Sequence, residues 1–114
     1  MPDCLFCKFV RKEIPTRVVF EDDSCLAFED IHPKAPVHVL IIPKKHIGSI
    51  NEMTPEDETG LGHLALVSCK IAQEKRIDQS GYRTVMNIGP DAGQSVFHIH
   101  LHLLGGRPMA WPPG

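Results

Sequence analysis

Three histidines, His98, His100 and His102, occupy every second position of the nine-residue run Val96 to Leu104, and every other residue of that run is apolar. In a β-strand successive side chains point to opposite faces, so the three imidazoles are expected on one face and Phe97, Ile99, Leu101 and Leu103 on the other. A buried structural role accounts for one such ring but poorly for three, because each buried neutral imidazole needs both a donor and an acceptor partner. A single metal ion shared by all three is disfavoured by length. At ~3.3 Å per residue the outer Cα atoms lie ~13 Å apart, whereas nitrogen ligands approach Zn²⁺ to ~2 Å. The spacing permits a division of labour instead, one ring on a metal and the next doing chemistry. A histidine exposed on a rigid strand suits nucleophilic or acid/base work near neutral pH, because its ordinary pKa of ~6.5 leaves the free base available. Just upstream, Asn87 and Gly93-Gln94-Ser95 offer an amide, a hydroxyl and unhindered backbone N–H groups, donors that suit a phosphate.

A second group of reactive residues is Cys4-Leu5-Phe6-Cys7. A C-x-x-C pair is either a redox couple or half of a zinc site, and the redox reading needs a βαβ context that the pattern lacks. Cys25 and Cys69 sit among apolar residues and read as core. The start, Met1-Pro2-Asp3-Cys4, lacks a basic segment followed by an apolar one, so a reduced, cytoplasmic setting is expected.

The elements that must position these groups are legible from periodicity. Cys4 to Lys12 carries Leu5, Phe6, Phe9 and Val10 at helical spacing and reads as a short helix ending before Pro15. Val18 to Glu21 and Cys25 to Glu29 read as a hairpin across Asp22-Asp23-Ser24. Val37 to Ile42, closed by Pro43, is a β-branched central strand. Thr54-Pro55-Glu56-Asp57 is a strong helix start, with an apolar face of Leu61, Leu64, Ala65, Ser68, Ile71 and Ala72 down to about Lys75. Gly60 and Gly62 weaken its first turns. Tyr82 to Ile88 and Ser95 to Leu104 complete the strands. Strands grouped around one long helix, without βαβ alternation, predict an α+β domain spanning residues 1–114, with a mainly antiparallel five-stranded sheet, one long and one short helix, and the histidine face turned away from the long helix.

Composition narrows the partners. A chain of 114 residues and 12.7 kDa is one domain that gains from dimerisation. Its net charge of −2 argues against nucleic acid, which needs a basic surface, and no apolar run approaches the ~20 residues of a membrane span.

Gln94-Ser95-Val96-Phe97-His98-Ile99-His100-Leu101-His102-Leu103-Leu104-Gly105-Gly106, followed by Met109-Ala110-Trp111-Pro112-Pro113-Gly114, closely resembles the histidine-triad (HIT) superfamily, and within it the Hint branch of purine nucleoside phosphoramidases. The match continues through Arg11-Lys12-Glu13-Ile14-Pro15, Phe28-Glu29-Asp30-Ile31, Ala35-Pro36-Val37-His38 and Ile42-Pro43-Lys44-Lys45-His46-Ile47. The resemblance implies a homodimer whose two sheets join into one, with a purine nucleoside monophosphate or phosphoramidate bound by each protomer. It implies that His100 attacks the α-phosphorus, expelling an amine, and that water cleaves the nucleotidyl-histidine. Aminoacyl adenylates are a related substrate class.

The same resemblance assigns His98, His38 and Ser95 to the catalytic set beside His100 and His102. Ser95, the Val96 backbone and His102 are expected to hold the phosphate, and His102 or His38 to orient protons. Asp30 would take the ribose hydroxyls, a carboxylate being able to accept from both. Phe6, Phe9, Phe28 and Ile31 would wall the purine, and Trp111 would join Asn87, Gly93 and Gln94 among the substrate contacts. Some relatives complete a Cys₂His₂ zinc site, here Cys4, Cys7, His46 and His98, which would be structural; no organic cofactor is implied. His32 and His63 match no functional position and read as surface residues. Two other readings stand beside the phosphoramidase: a nucleotide-binding regulatory or scaffold protein with vestigial catalysis, and a dinucleoside polyphosphate hydrolase. The Trp111-Pro112-Pro113-Gly114 ending argues against the last.

Overall fold

A computed structural model describes residues 4–114; Met1, Pro2 and Asp3, on which the expectation of a leaderless start rests, lie outside the described residues. Seven main elements follow one another: α1 (Leu5–Val10), β1 (Val18–Glu21), β2 (Cys25–Glu29), β3 (Val37–Pro43), α2 (Glu58–Glu74), β4 (Tyr82–Val85) and β5 (Leu101–Gly105). The strands form one sheet in the order β1-β2-β3-β5-β4, and every neighbouring pair is antiparallel. This is the α+β, five-stranded architecture with one long and one short helix that the periodicity predicts.

The period-two alternation divides the sheet into two packed faces. Cys25, Ala27, Val39, Ile41, Ile99 and Leu103 face α2, whose Leu64, Val67, Ile71 and Ala72 complete that core. Leu26, Phe28, Leu40 and Ile42 project the other way and pack with Phe6 of α1. Asp57 closes the start of α2: its Oδ2 accepts the Thr54 backbone N–H at 3.0 Å, after a 3₁₀ turn over Pro55–Asp57. The helix face differs in detail from its prediction, because Val67 is buried and Ala65 is exposed. Cys25 is core as expected, whereas Cys69 is only half-buried.

The largest departure is in the histidine run, where the strand begins at Leu101 and not at Ser95. Pairing with β3 stops at Ile41 opposite Leu101 because the polar groups beyond are engaged elsewhere. The Pro43 carbonyl accepts from the His98 ring at 2.7 Å, and the Ile99 N–H donates to the Ile47 carbonyl at 2.8 Å. The alternation of faces nonetheless survives for Ile99, Leu101 and Leu103, but Phe97 points to solvent. β4 likewise ends at Val85, opposite His102, and not at Ile88.

Candidate active site and metal-binding cluster

His98 and His100 stand in an irregular segment, yet both rings are held firmly on the α1 side of the sheet. Each packs edge-on against Phe6, with ring centroids 5.9 and 5.1 Å away. His100 Nδ1–H donates to the His98 carbonyl at 2.7 Å, which leaves the Nε2 lone pair of His100 free. A free ring nitrogen on a fixed, buried imidazole is a nucleophile in waiting.

The next histidine is oriented through a chain that begins at the backbone. The Lys34 N–H donates to His38 Nδ1 at 3.0 Å, so the proton of neutral His38 resides on Nε2. That Nε2–H donates to His102 Nδ1 at 2.9 Å, which in turn fixes the proton of His102 on Nε2. Burial pushes the His102 pKa down to about 4, helped by the neighbouring His100 and His38, and burial also lowers His38 against the pull of Asp30. Both rings are therefore neutral at pH 7, and His102 presents an N–H donor. Asp30 Oδ2 lies 3.5 Å from His38 Nε2, while Oδ1 accepts the His32 backbone N–H at 2.7 Å.

A cavity of about 310 Å³ opens over these groups. It brings together Phe6, Phe9, Phe28, Asp30, Ile31, Ser95, Val96, His100 and His102, nine of the residues expected to handle substrate. Phe28 meets both Phe6 and Phe9 edge-on, at centroid distances of 5.4 and 5.0 Å, so the three rings form one packed aromatic wall. Ile31 is 81% exposed, an apolar residue available for a ligand to cover.

Other expected contacts lie elsewhere. Asn87 lines a neighbouring cavity on the far side of His102. Gln94 is buried, and its amide braces the preceding turn: Oε1 accepts the Gly89 N–H, while Nε2 donates to the Gly48 and Val96 carbonyls. Gly93 supplies that turn with a φ of +83°. Trp111 is 82% exposed and lines neither cavity. His32, read as a surface residue, reaches the cavity rim, and His63 donates from Nε2 to Asp22 Oδ2 at 2.7 Å. The Lys34 N–H and the carbonyls of Pro43 and His98, which orient the rings, were invisible in the sequence because every residue carries such atoms.

On the other side of His100, the ligand atoms of Cys4, Cys7, His46 and His98 all lie within 4.8 Å of one another. His98 Nδ1 is 3.4 Å from Cys4 Sγ, 3.6 Å from Cys7 Sγ and 3.2 Å from His46 Nδ1, and Cys7 Sγ is 3.2 Å from His46 Nδ1. The edges of a zinc tetrahedron with bonds of ~2.0–2.3 Å are roughly 3.3–3.8 Å, and these four separations are close to that range, the other two lying within 4.8 Å, so the donor set is of a kind and size that suits that ion. His98 is anchored through the opposite nitrogen, Nε2–H donating to the Pro43 carbonyl at 2.7 Å, which would leave Nδ1 available to such an ion. Burial lowers the His98 pKa to about 4 and that of His46 as well, which keeps both rings in the neutral, ligating form.

A HIT domain family model matches residues 11–109. The chain is 47% identical over 107 residues to the purine nucleoside phosphoramidase of Escherichia coli (strain K12), covering 94% of this chain and 90% of that protein. It is 54% identical over 112 residues to a HIT-like protein of Synechococcus elongatus, covering 98% and 97%. Among solved structures, a HIT family hydrolase from Legionella pneumophila Philadelphia 1 superposes with a TM-score of 0.96 at 54% identity, over 98% of this chain and 100% of that one. A histidine triad protein from Clostridium difficile gives a TM-score of 0.94 at 44% identity, over 96% of each chain.

Proposed function

The chain belongs to the HIT domain family and is a hydrolase of that family, and from this premise we propose that it cleaves the P–N bond of purine nucleoside 5′-phosphoramidates through a nucleotidyl-histidine at His100. The observation that carries the reading is the His100 ring, pinned through Nδ1 with its Nε2 lone pair free, in a cavity with an aromatic wall and a carboxylate. In this reading Nε2 bonds to phosphorus as the P–N bond breaks. The nitrogen leaves with the bonding pair and takes a proton from water; the hydroxyl left behind then displaces His100, giving the nucleoside monophosphate. Neutral His102 donates its Nε2–H to a phosphoryl oxygen, with the Val96 N–H and the Ser95 hydroxyl as further donors. Phe6, Phe9, Phe28 and Ile31 clasp the purine, and Asp30 accepts from the ribose hydroxyls.

Cys4, Cys7, His46 and His98 hold zinc in the same proposal. Bound there, zinc is structural: it ties α1 and the segment after β3 to the residue two before His100. The thiols this requires point to a reducing compartment, the cytoplasm; no helix among the described residues is long and apolar enough to cross a membrane. The working unit is a homodimer. Of the two sheet edges β4 is the better joint, because β1 is interrupted by an irregularity between Val18 and Phe20, and bulges discourage edge pairing.

The test is hydrolysis of adenosine 5′-phosphoramidate, with the acid-labile nucleotidyl-protein trapped during turnover. Release of adenosine monophosphate without any trapped intermediate on His100, or no release at all, rejects the mechanism.

A further inference from the structure

All four cysteines are free thiols, and two of them stand side by side. Cys4 caps α1, and Cys7 follows inside the first helical turn, which the Lys8 N–H closes on the Cys4 carbonyl at 3.1 Å. Residues three apart in a helical turn are neighbours, and a disulfide needs Cα atoms ~4.4–6.8 Å apart, so a bridge between these two asks little of the backbone. Their sulfurs already lie within 4.8 Å of each other, and the Cys7 N–H donates to Cys4 Sγ at 3.4 Å. Access divides the pair. Cys4 is half-buried and lines a cavity of about 550 Å³ beside His46, whereas Cys7 is buried and absent from its walls. Of the other thiols, Cys25 is buried in the core and Cys69 half-buried on α2, and among the described residues neither shares a cluster of ligand atoms with a second sulfur.

We propose that Cys4 and Cys7 form an oxidation-sensing site: hydrogen peroxide converts the zinc-binding pair into a disulfide, the ion is released, and the purine wall loosens. This rests on the zinc reading above. Cys4 Sγ, as thiolate, bonds to one peroxide oxygen while the O–O bond breaks and frees hydroxide. Cys7 Sγ, as thiolate, then displaces a second hydroxide from the sulfenic sulfur of Cys4, and the S–S bond forms. Two thiolates thus give two electrons to one peroxide. The assignment of roles follows from access, since a solvent-reached thiolate beside a resolving thiol is the arrangement that oxidation selects, while buried cysteines are inert. A bridge removes both sulfurs from coordination, and His46 and His98 alone supply only half of a tetrahedral shell. α1 then loses its tie to those two rings. Phe6 and Phe9 ride on α1, and Phe6 packs against both His98 and His100, so the change reaches the nucleotide cavity. This use of a C-x-x-C pair needs no βαβ context, because no second protein is oxidised or reduced through it.

The test treats the purified, zinc-loaded chain with hydrogen peroxide and follows zinc released to a chromogenic chelator, thiol state by peptide mass spectrometry, and binding of adenosine monophosphate. About one Zn²⁺ per chain should be released as a Cys4–Cys7 disulfide appears, with dimedone trapping the sulfenic form on Cys4. Affinity for adenosine monophosphate should fall several-fold, and a dithiol reductant with added zinc should restore it. Cys69→Ser, remote from the pair, should leave all three readouts as in the parent. Zinc retained while glutathione in a parallel sample is fully oxidised overturns the sensing role. So does dimedone on Cys7, Cys25 or Cys69 in place of Cys4, or an unchanged affinity in the bridged chain. A reduced chain that takes up no zinc overturns the zinc reading beneath the proposal, which the metal content reports before any peroxide is added.

Discussion

His98 and His100 stand two residues apart and are both buried, yet they look into different kinds of site. In the Cys4, Cys7, His46 and His98 cluster, two Nδ1 atoms approach to 3.2 Å beside two sulfurs, and the Pro43 carbonyl, by holding the proton of neutral His98 on Nε2, leaves its Nδ1 lone pair directed among them. In the His38, His100 and His102 group a comparable nitrogen–nitrogen contact of 2.9 Å is ordered from outside, by the Lys34 N–H. The first arrangement is a set of converging lone pairs and suits a cation. The second is a directed chain ending in the His102 N–H, beside the lone pair that the His98 carbonyl leaves on neutral His100, and suits a phosphate. What decides between them is which nitrogen the backbone occupies: Nε2 of His98 is anchored to Pro43, Nδ1 of His100 to His98.

The sharpest way to break this comparison is His100→Ala. Turnover should fall by at least ~10³-fold while adenosine monophosphate still binds, since the ring is needed for covalent chemistry more than for ground-state contact. Near-normal kcat removes His100 from the mechanism. The converse substitution, Cys4→Ser with Cys7→Ser, should spare the chemistry and damage the fold. The parent is expected to contain about one Zn²⁺ per chain, and the double variant none, with a melting temperature lower by ~10 °C or more, because binding energy at a structural site is folding energy. Metal analysis finding no zinc in the parent, with both thiols freely alkylated, returns the cluster to a plain packing role.

Asp30→Ala is expected to weaken nucleotide binding by ~1.5–3 kcal/mol, the range for a charge-assisted hydrogen bond left unmade. Deoxyribose analogues should lose less in the variant than in the parent; equal discrimination by both proteins would show that Asp30 does not hold the ribose.

A smaller effect is a dependence of stability on pH, to which the buried rings of both groups contribute. His102 is held by burial at a pKa of about 4 in the folded chain, against an ordinary value of 6.5. Below pH 6.5 the unfolded chain takes up a proton that the folded chain refuses, so stability is complete above that value and lost progressively down to pH 4. In the cysteine double variant, where metal release no longer contributes, the melting temperature should fall by several degrees over this window. His102→Asn should flatten part of that fall; an unchanged slope would mean that folding does not lower the His102 pKa. The smallest effect is a control remote from both groups. Gly62 is exposed within α2, and a methyl group there would meet no neighbouring atom within 4 Å. Gly62→Ala should therefore add ~0.5–1 kcal/mol of stability in denaturant titration without altering zinc content or turnover.

Much of the fold was legible from local pattern. The alternation in β2 and β3, the Thr54 to Asp57 helix start and the apolar spacing of α2 each follow from a period that one side chain after another repeats. Residue type and spacing singled out the histidine run and the Cys4 and Cys7 pair, because few side chains bind metal or attack phosphorus, whereas the grouping of those cysteines with His46 and His98 and the role expected of Asp30 came from the resemblance to the HIT superfamily. Gln94, by contrast, read as a phosphate donor and is instead a buried brace, since nothing in an amide's neighbours along the chain says which distant carbonyl it will meet. The strand boundary at Leu101 was equally unreadable: it depends on Pro43 and Ile47, more than fifty residues earlier, accepting hydrogen bonds that would otherwise extend the ladder. Sequence thus determined which groups were available to react and on which face they fall, through residue chemistry and backbone periodicity. Only the tertiary structure decided which ring nitrogen each backbone contact occupies, and hence which lone pairs remain free, because those partners are main-chain atoms that every residue possesses and only folding brings within reach.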